Sequence, residues 1–223
     1  MFNEISGKYD FLNHFLSFGI DRLWRKRLVK EMMPLRPRHV LDLATGTADL
    51  AIELYKQGGI RITGVDISEK MMNVGREKIA KAGFSHAIEL TYGDAENLQF
   101  HDENFDAVMI AFGVRNFENL EKGISEMKRV LRKGGKVMVL EFSHPASFPL
   151  KQVYGFYSRF IIPLIGKAIS SHPSAYHYLP ETVSAFPSGQ AFLNIMEQKG
   201  FKGCRLVSLS GGIASIYIGT RPD

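Results

Sequence analysis

Cysteine is almost missing from this 223-residue chain. Cys204 stands alone, which excludes a disulfide within the chain and any metal site built from several thiolates. No metal is expected. Apolar runs are also short, and none approaches the roughly 20 residues needed to cross a bilayer. The greasiest stretch, 153–169, is interrupted by Gly155, Arg159, Pro163, Gly166 and Lys167, so a buried or surface-lying segment suits it better than a spanning helix. The opening MFNEISGKYD lacks the basic flank, apolar stretch and small-residue cleavage site of a secretory signal. Repeats, low-complexity tracts and Pro/Gly/Ser linkers are missing too, so nothing divides the chain. These gaps point to a single domain over 1–223 and suit a reducing, cytoplasmic setting.

Hydrophobic residues at 45% and charged residues at 23% are enough for a packed core and too few charges for disorder. From residue 39 onward, strand and helix patterns alternate. Strands are expected at 39–43, 60–66, 87–92, 105–111 and 136–142. Helices are expected at 48–57, at 69–82 behind a Ser68 cap, and at 120–132, stopped by Gly134-Gly135. Such alternation implies a parallel sheet with right-handed crossovers. The end differs: 201–208 and 213–220 are strand-like and joined across Gly211-Gly212, a link so short that only an antiparallel pair allows it. The fold class is therefore α/β, a doubly wound, mostly parallel sheet closed by a C-terminal antiparallel hairpin. A helix at 21–33 precedes the first strand, and an aromatic-rich stretch at 144–188 follows the fifth. Insertions at strand ends tend to cover the ligand crevice, so 1–33 and 144–188 are expected to form a helical lid.

Three acidic motifs lie in order at the sheet's carboxyl edge. In VLDLATGTAD (40–49) a strand delivers Asp42, and the Thr45-Gly46-Thr47 turn leads into a helix whose free N–H groups can face an anion. In GVDIS, Asp66, followed by Ile67, lies about 20 residues past the glycine, the spacing at which an acid meets ribose hydroxyls. In GDAENLQF, Asp94 and Ala95 are placed to receive an adenine. A dinucleotide fits poorly, because G-x-G-x-x-G would fall on Ala44, Gly46 and Asp49, with an acid beside the pyrophosphate. A ligand with an amino-acid end fits better, its ammonium approaching Asp42. A tight turn with a capping acid and no ligand is the plain alternative.

These residues, with FDAVMIAFGVRNF (105–117) and VLRKGGKVMVLEFSHP (130–145), resemble the class I S-adenosylmethionine-dependent methyltransferases, whose Rossmann-like sheet has seven strands. KYDFLNHFLSFGIDRLWRKRL near the start and YHYLPETVSAFP (176–187) narrow the resemblance. They are similar to the demethylmenaquinone methyltransferase and 2-polyprenyl-6-methoxybenzoquinol methylase family of quinone biosynthesis. The resemblance covers nearly the whole chain. It implies S-adenosylmethionine as cofactor, with Thr47 at the methionine end, Asp66 on the ribose and Asp94 with Ala95 on the adenine. The chain departs from the family in starting closer to its first motif, in carrying Ala111 where some members have serine, and in Gln99 replacing a proline. The implied reaction is carbon methylation of a polyprenylated quinol ring, either demethylmenaquinol or the related benzoquinol. Methylation of another small aromatic or lipid is the alternative within the enzyme class.

Ring methylation draws electron density from a phenolate, so the site needs a stabiliser or base for that oxygen. Arg115 and Asn116 are expected in the crevice, the guanidinium as stabiliser and the amide as orienter. Tyr9 and His144 are the candidates for proton transfer. Phe112, Tyr176, Tyr178 and Phe186 are expected to wall the substrate, although aromatics in such a stretch also simply pack. The net charge of +5 suits anionic head groups, and Lys151, Arg159 and Lys167 suit transient contact at the inner membrane face. Nucleic acid is not an expected partner. Arg22, Arg25, Lys26 and Arg27 form the nearest basic cluster, and the solvated face of a helix accounts for them. A homodimer stays open, and a regulatory cofactor-binding or RNA-associated protein is the reading from another class.

Overall fold

The computed structural model describes residues 19–145, 148–149, 151–152, 155 and 182–223. Seven strands form one sheet: β1 His39–Leu43, β2 Arg61–Asp66, β3 Ile88–Tyr92, β4 Phe105–Ala111, β5 Leu131–Phe142, β6 Lys202–Leu209 and β7 Ala214–Thr220. Among the described residues, helices α1 Asp21–Met32, α2 Asp49–Gly58, α3 Glu69–Lys81, α4 Leu120–Val130 and α5 Gln190–Gln198 accompany them. The strand order is β3-β2-β1-β4-β5-β7-β6. The first five strands run parallel, and β7 pairs antiparallel with both β5 and β6. The doubly wound sheet with its terminal hairpin is the fold expected from the sequence.

Strand side chains alternate between the two faces, as a period of two requires. Val40, Ile62, Met109, Met138, Leu140 and Ile216 join the core that includes Trp24, Leu28, Leu54 and Ile79 from α1, α2 and α3. Leu41, Val108, Ile110, Val137, Val139 and Tyr217 join the opposite core, with Ile124 and Met127 of α4 and Phe192 and Met196 of α5. Both faces are covered, which is why the central strands read as nearly continuous apolar runs.

One boundary differs from the sequence reading. Helix α4 ends at Val130 rather than 132, and β5 begins at Leu131 instead of 136. Leu131 is fully buried opposite Phe105, and the ladder then bulges before resuming at Ala107 and Lys136. The stop signal is remote. The Arg221 guanidinium donates through Nη1 to the carbonyls of Lys128 (3.1 Å) and Arg129 (3.0 Å) and to that of Leu131. A cation capping a helix C-terminus satisfies its free carbonyls.

Most of the two segments expected as a lid lies outside the described residues, including Tyr9, Tyr176 and Tyr178. Of their described parts, α1 is packed. Trp24, Leu28, Val29 and Met32 of α1 are buried, and Trp24 Nε1 donates to Ser210 Oγ at 2.9 Å. Trp24, Phe112 and Phe142 form an aromatic cluster, with ring centroids 4.7 to 6.2 Å apart, that seats α1 on the carboxyl ends of β4 and β5. Among the described residues no helix is long and apolar enough to cross a membrane.

Candidate active site

The chain leaves β1 for β2 on one side and returns to β4 on the other, so a crevice opens at the carboxyl ends of β1 and β4. A cavity of about 290 Å³ occupies it. Its shape begins with the turn after β1. Ala44, Gly46 and Ala48 have φ of 53°, 55° and 65°, a left-handed alternation that non-glycine residues rarely adopt. Such backbone persists only where its surroundings over-determine it. Thr45 N–H donates to the carbonyl of Val65 (3.0 Å), Thr45 Oγ1 to Asp42 Oδ2 (2.7 Å), and Gly46 N–H to Asp66 Oδ2 (2.8 Å). Asp66 Oδ1 also accepts the N–H of Ser68 at 2.8 Å. The carboxylate at the end of β2 thus ties the β1 turn to the start of α3.

Asp42 is buried, and burial pushes its carboxyl up to about 7. Thr45, the N–H of Ala51 and the charge of Arg25 pull the other way, and desolvation outweighs them. Such a value marks a group whose charge is held ready near neutral pH. Asp94 and Ala95 stand after β3 and line the cavity with Ile67, Ala111, Phe112 and Asn116. Of the residues singled out in the sequence, Asp42, Thr45, Gly46, Asp66, Ile67, Asp94, Ala95, Ala111, Phe112 and Asn116 are brought to this one cavity.

Four others are placed differently. Thr47 is buried in the turn but does not line the cavity; its Oγ1 accepts from Lys78 Nζ at 2.7 Å. Arg115 is also absent from the cavity wall. Its side chain is fully buried, and Nη1 donates to the carbonyl of Phe112 and to Glu141 Oε1, both at 2.7 Å. Burial pushes the Glu141 carboxyl up, and the Arg115 charge draws it down. His144 is exposed just past β5. Phe186 is buried against Phe192, 5.0 Å between ring centroids, in the core on the α4–α5 face.

Two residues of the site escaped the sequence reading. Arg25, assigned there to a solvated helix face, is 8% exposed and lines the cavity. The signal that would have found it is its position one residue past the buried Trp24, with Asp21 four residues before it as an ion partner. Glu141 lies in an apolar strand, where a lone acid is itself the signal of a buried pair.

The chain is similar to known proteins over nearly its whole length. Residues 1–221 match the ubiE/COQ5 methyltransferase family. A demethylmenaquinone methyltransferase of Bacteroides fragilis is 46% identical, covering 99% of this chain and 91% of its own length. A ubiquinone/menaquinone biosynthesis C-methyltransferase UbiE of Geobacter sp. (strain M21) is 44% identical, covering 99% and 94%. Among solved structures, a SAM-dependent methyltransferase of Thermotoga maritima, described as a possible histamine N-methyltransferase, shares the fold. Its TM-score is 0.69 at 21% identity, covering 99% of this chain and 97% of that one. This chain belongs to the ubiE/COQ5 methyltransferase family.

Proposed function

We propose that this protein transfers a methyl group from S-adenosylmethionine to a ring carbon of a polyprenylated quinol, demethylmenaquinol in the first instance. The observation that carries the reading is a cavity at the β1–β4 switch point lined by Asp42, Asp66 and Asp94, in a chain 46% identical over nearly its full length to a demethylmenaquinone methyltransferase. The donor set suits the cofactor. With the acids in the order of β1, β2 and β3, Asp42 would face the ammonium, Asp66 the ribose hydroxyls and Asp94 the adenine amine. Val65, Ile67, Met71 and Ala95 offer apolar walls for a flat ring.

When bound, the cofactor supplies a methyl group already activated on a sulfonium. The protein's tasks are alignment and exclusion of water. Phe112 and Asn116 face the end of the cavity where transfer would occur, with Asn116 orienting the quinol oxygen. Arg115 holds the carbonyl of Phe112 and is held by Glu141, so this pair fixes the turn that presents both residues. Its buried charge adds positive potential behind that turn, favouring a phenolate. The quinol's lipid tail brings the protein to a membrane surface. Phe148, 82% exposed, and exposed Lys151 follow β5 and suit head-group contact.

The decisive assay incubates the purified protein with methyl-labelled cofactor and demethylmenaquinol in detergent. Label in the quinol ring is expected. Label passing to a simple phenol or phospholipid headgroup, with the quinol left unmodified, would overturn the substrate. Sedimentation with anionic vesicles at low salt tests the surface contact, and protein remaining in the supernatant would remove it.

A further inference from the structure

We propose that Arg25 binds the carboxylate of the cofactor's methionine end, as the cationic member of a site otherwise lined by acids. This rests on reading the cavity as the S-adenosylmethionine site. Six acids line it, namely Asp42, Asp49, Asp66, Asp94, Glu96 and Glu118, and Arg25 is the one cation among the described lining residues. A sulfonium and an ammonium gain from such a wall. A carboxylate does not. Beside Asp42 and Asp66 in a partly dry crevice it would be repelled unless a cation answers it.

Arg25 stands at the correct end. The acids follow β3, β2 and β1 in spatial order, so adenine, ribose and amino acid succeed one another toward β4. The guanidinium lies 5.6 Å from the ring centroid of Phe112, immediately after β4, and its charge is felt by Asp42 at the end of β1. Only Nη1 is engaged, by Asp21, and the group has no other protein acceptor among the described residues. Its other N–H groups are not sealed from solvent and are free to donate to a ligand in the cavity. The planar fork matches a carboxylate bidentately. Trp24 and Leu28, buried in the core, keep α1 from yielding, so the charge is fixed before binding.

The test compares three probes by calorimetry: S-adenosylmethionine, its decarboxylated analogue and methylthioadenosine. Wild type is expected to hold the complete cofactor at least about tenfold more tightly than the decarboxylated analogue, the scale of a charge-assisted hydrogen bond. The double variant Asp21→Asn/Arg25→Met removes both buried charges and keeps the apolar stem. It is expected to lose about 10- to 100-fold for S-adenosylmethionine and less than about twofold for the two probes without a carboxylate. Arg25→Lys, the milder change, is expected to lose an intermediate amount for the complete cofactor alone. Equal losses for all three probes, or a wild type indifferent to the carboxylate, would overturn the assignment while leaving the cavity reading intact. Failure of wild type to bind any of the three would instead remove the cofactor site itself, and this assignment with it.

Discussion

Asp42 is asked to do two opposed things, and pH separates them. It must be buried to shape the β1 turn, and it must be charged to meet an ammonium. Its folded value of about 7 lies above the ordinary 3.8, so the native state keeps a proton that the unfolded chain releases as pH rises. Its contribution to stability is therefore fully present below the unfolded value and is lost as pH climbs from about 4 to about 7. Ligand binding has the opposite sign, because an ammonium favours the ionised carboxylate. Cofactor affinity should weaken about tenfold for each pH unit below 7 and level off above it, measured by calorimetry across pH 5 to 8.5. Asp42→Asn should flatten that profile, bind the cofactor more weakly, and raise the melting temperature of the free protein at pH 8. A fall in melting temperature would show that Asp42 is stabilised as an ion after all. Arg115 and Glu141 make a second buried pair. Arg115→Ala alone strands a carboxyl and should cost about 3–5 kcal/mol in urea unfolding. Adding Glu141→Gln should recover much of that stability but not turnover, with cofactor affinity changed far less than turnover. Recovery of activity in the double variant would reduce the pair to packing.

At the scale of elements, what the sequence displayed was local and what it hid was remote. Ser68 caps α3 through the N–H of Met71, and Asn119 caps α4 through that of Lys122, both readable from side chains next to the helix. The end of α4 was not readable, because its capping cation is Arg221, at the far end of the chain. Arg25 and Glu141 were obscured for a similar reason. Whether a charge on an amphipathic element faces water depends on what packs over it, and the ion partner of Glu141, Arg115, lies 26 residues away in the chain. By contrast, the strand–turn–helix around Gly46 carries its own instructions. The left-handed turn needs residues that tolerate it, and β2 must pass close beside it. Gly64 is where it passes: a Cβ there would lie 2.5 Å from Leu90 Cδ2 and 2.9 Å from Thr45 Oγ1. Gly64→Ala should therefore push Thr45 off Asp42. We expect about 1–3 kcal/mol lost in unfolding experiments and a weaker grip on the cofactor. Unchanged affinity would mean that the Thr45–Asp42 hydrogen bond does not hold the site in shape.

For the whole molecule, the sheet was legible because the central strands are buried on both faces and helices follow β1, β2 and β4, so alternation pointed to the class, whereas the strand order is read from the structure alone. Ligand binding should follow the same division. The cavity draws on loops after β1, β2, β3 and β4, whereas the β6–β7 hairpin and α5 contribute nothing to its wall. A cofactor at 100 times its dissociation constant stabilises the native state by about 2.7 kcal/mol. In a domain of this length each kcal/mol raises the melting temperature by about 2–4 °C, so a rise of about 5–10 °C is expected. The protection should be uneven. Amide exchange should slow most at 44–48, 66–68, 94–96 and 112–117, the segments that border the cavity, and least in 202–220. Protection appearing chiefly in the hairpin would place the ligand on the other half of the sheet. A cofactor held at the β1–β4 switch point has no means of reaching β6 except through the global unfolding equilibrium, and that route would slow all of the most protected amides together.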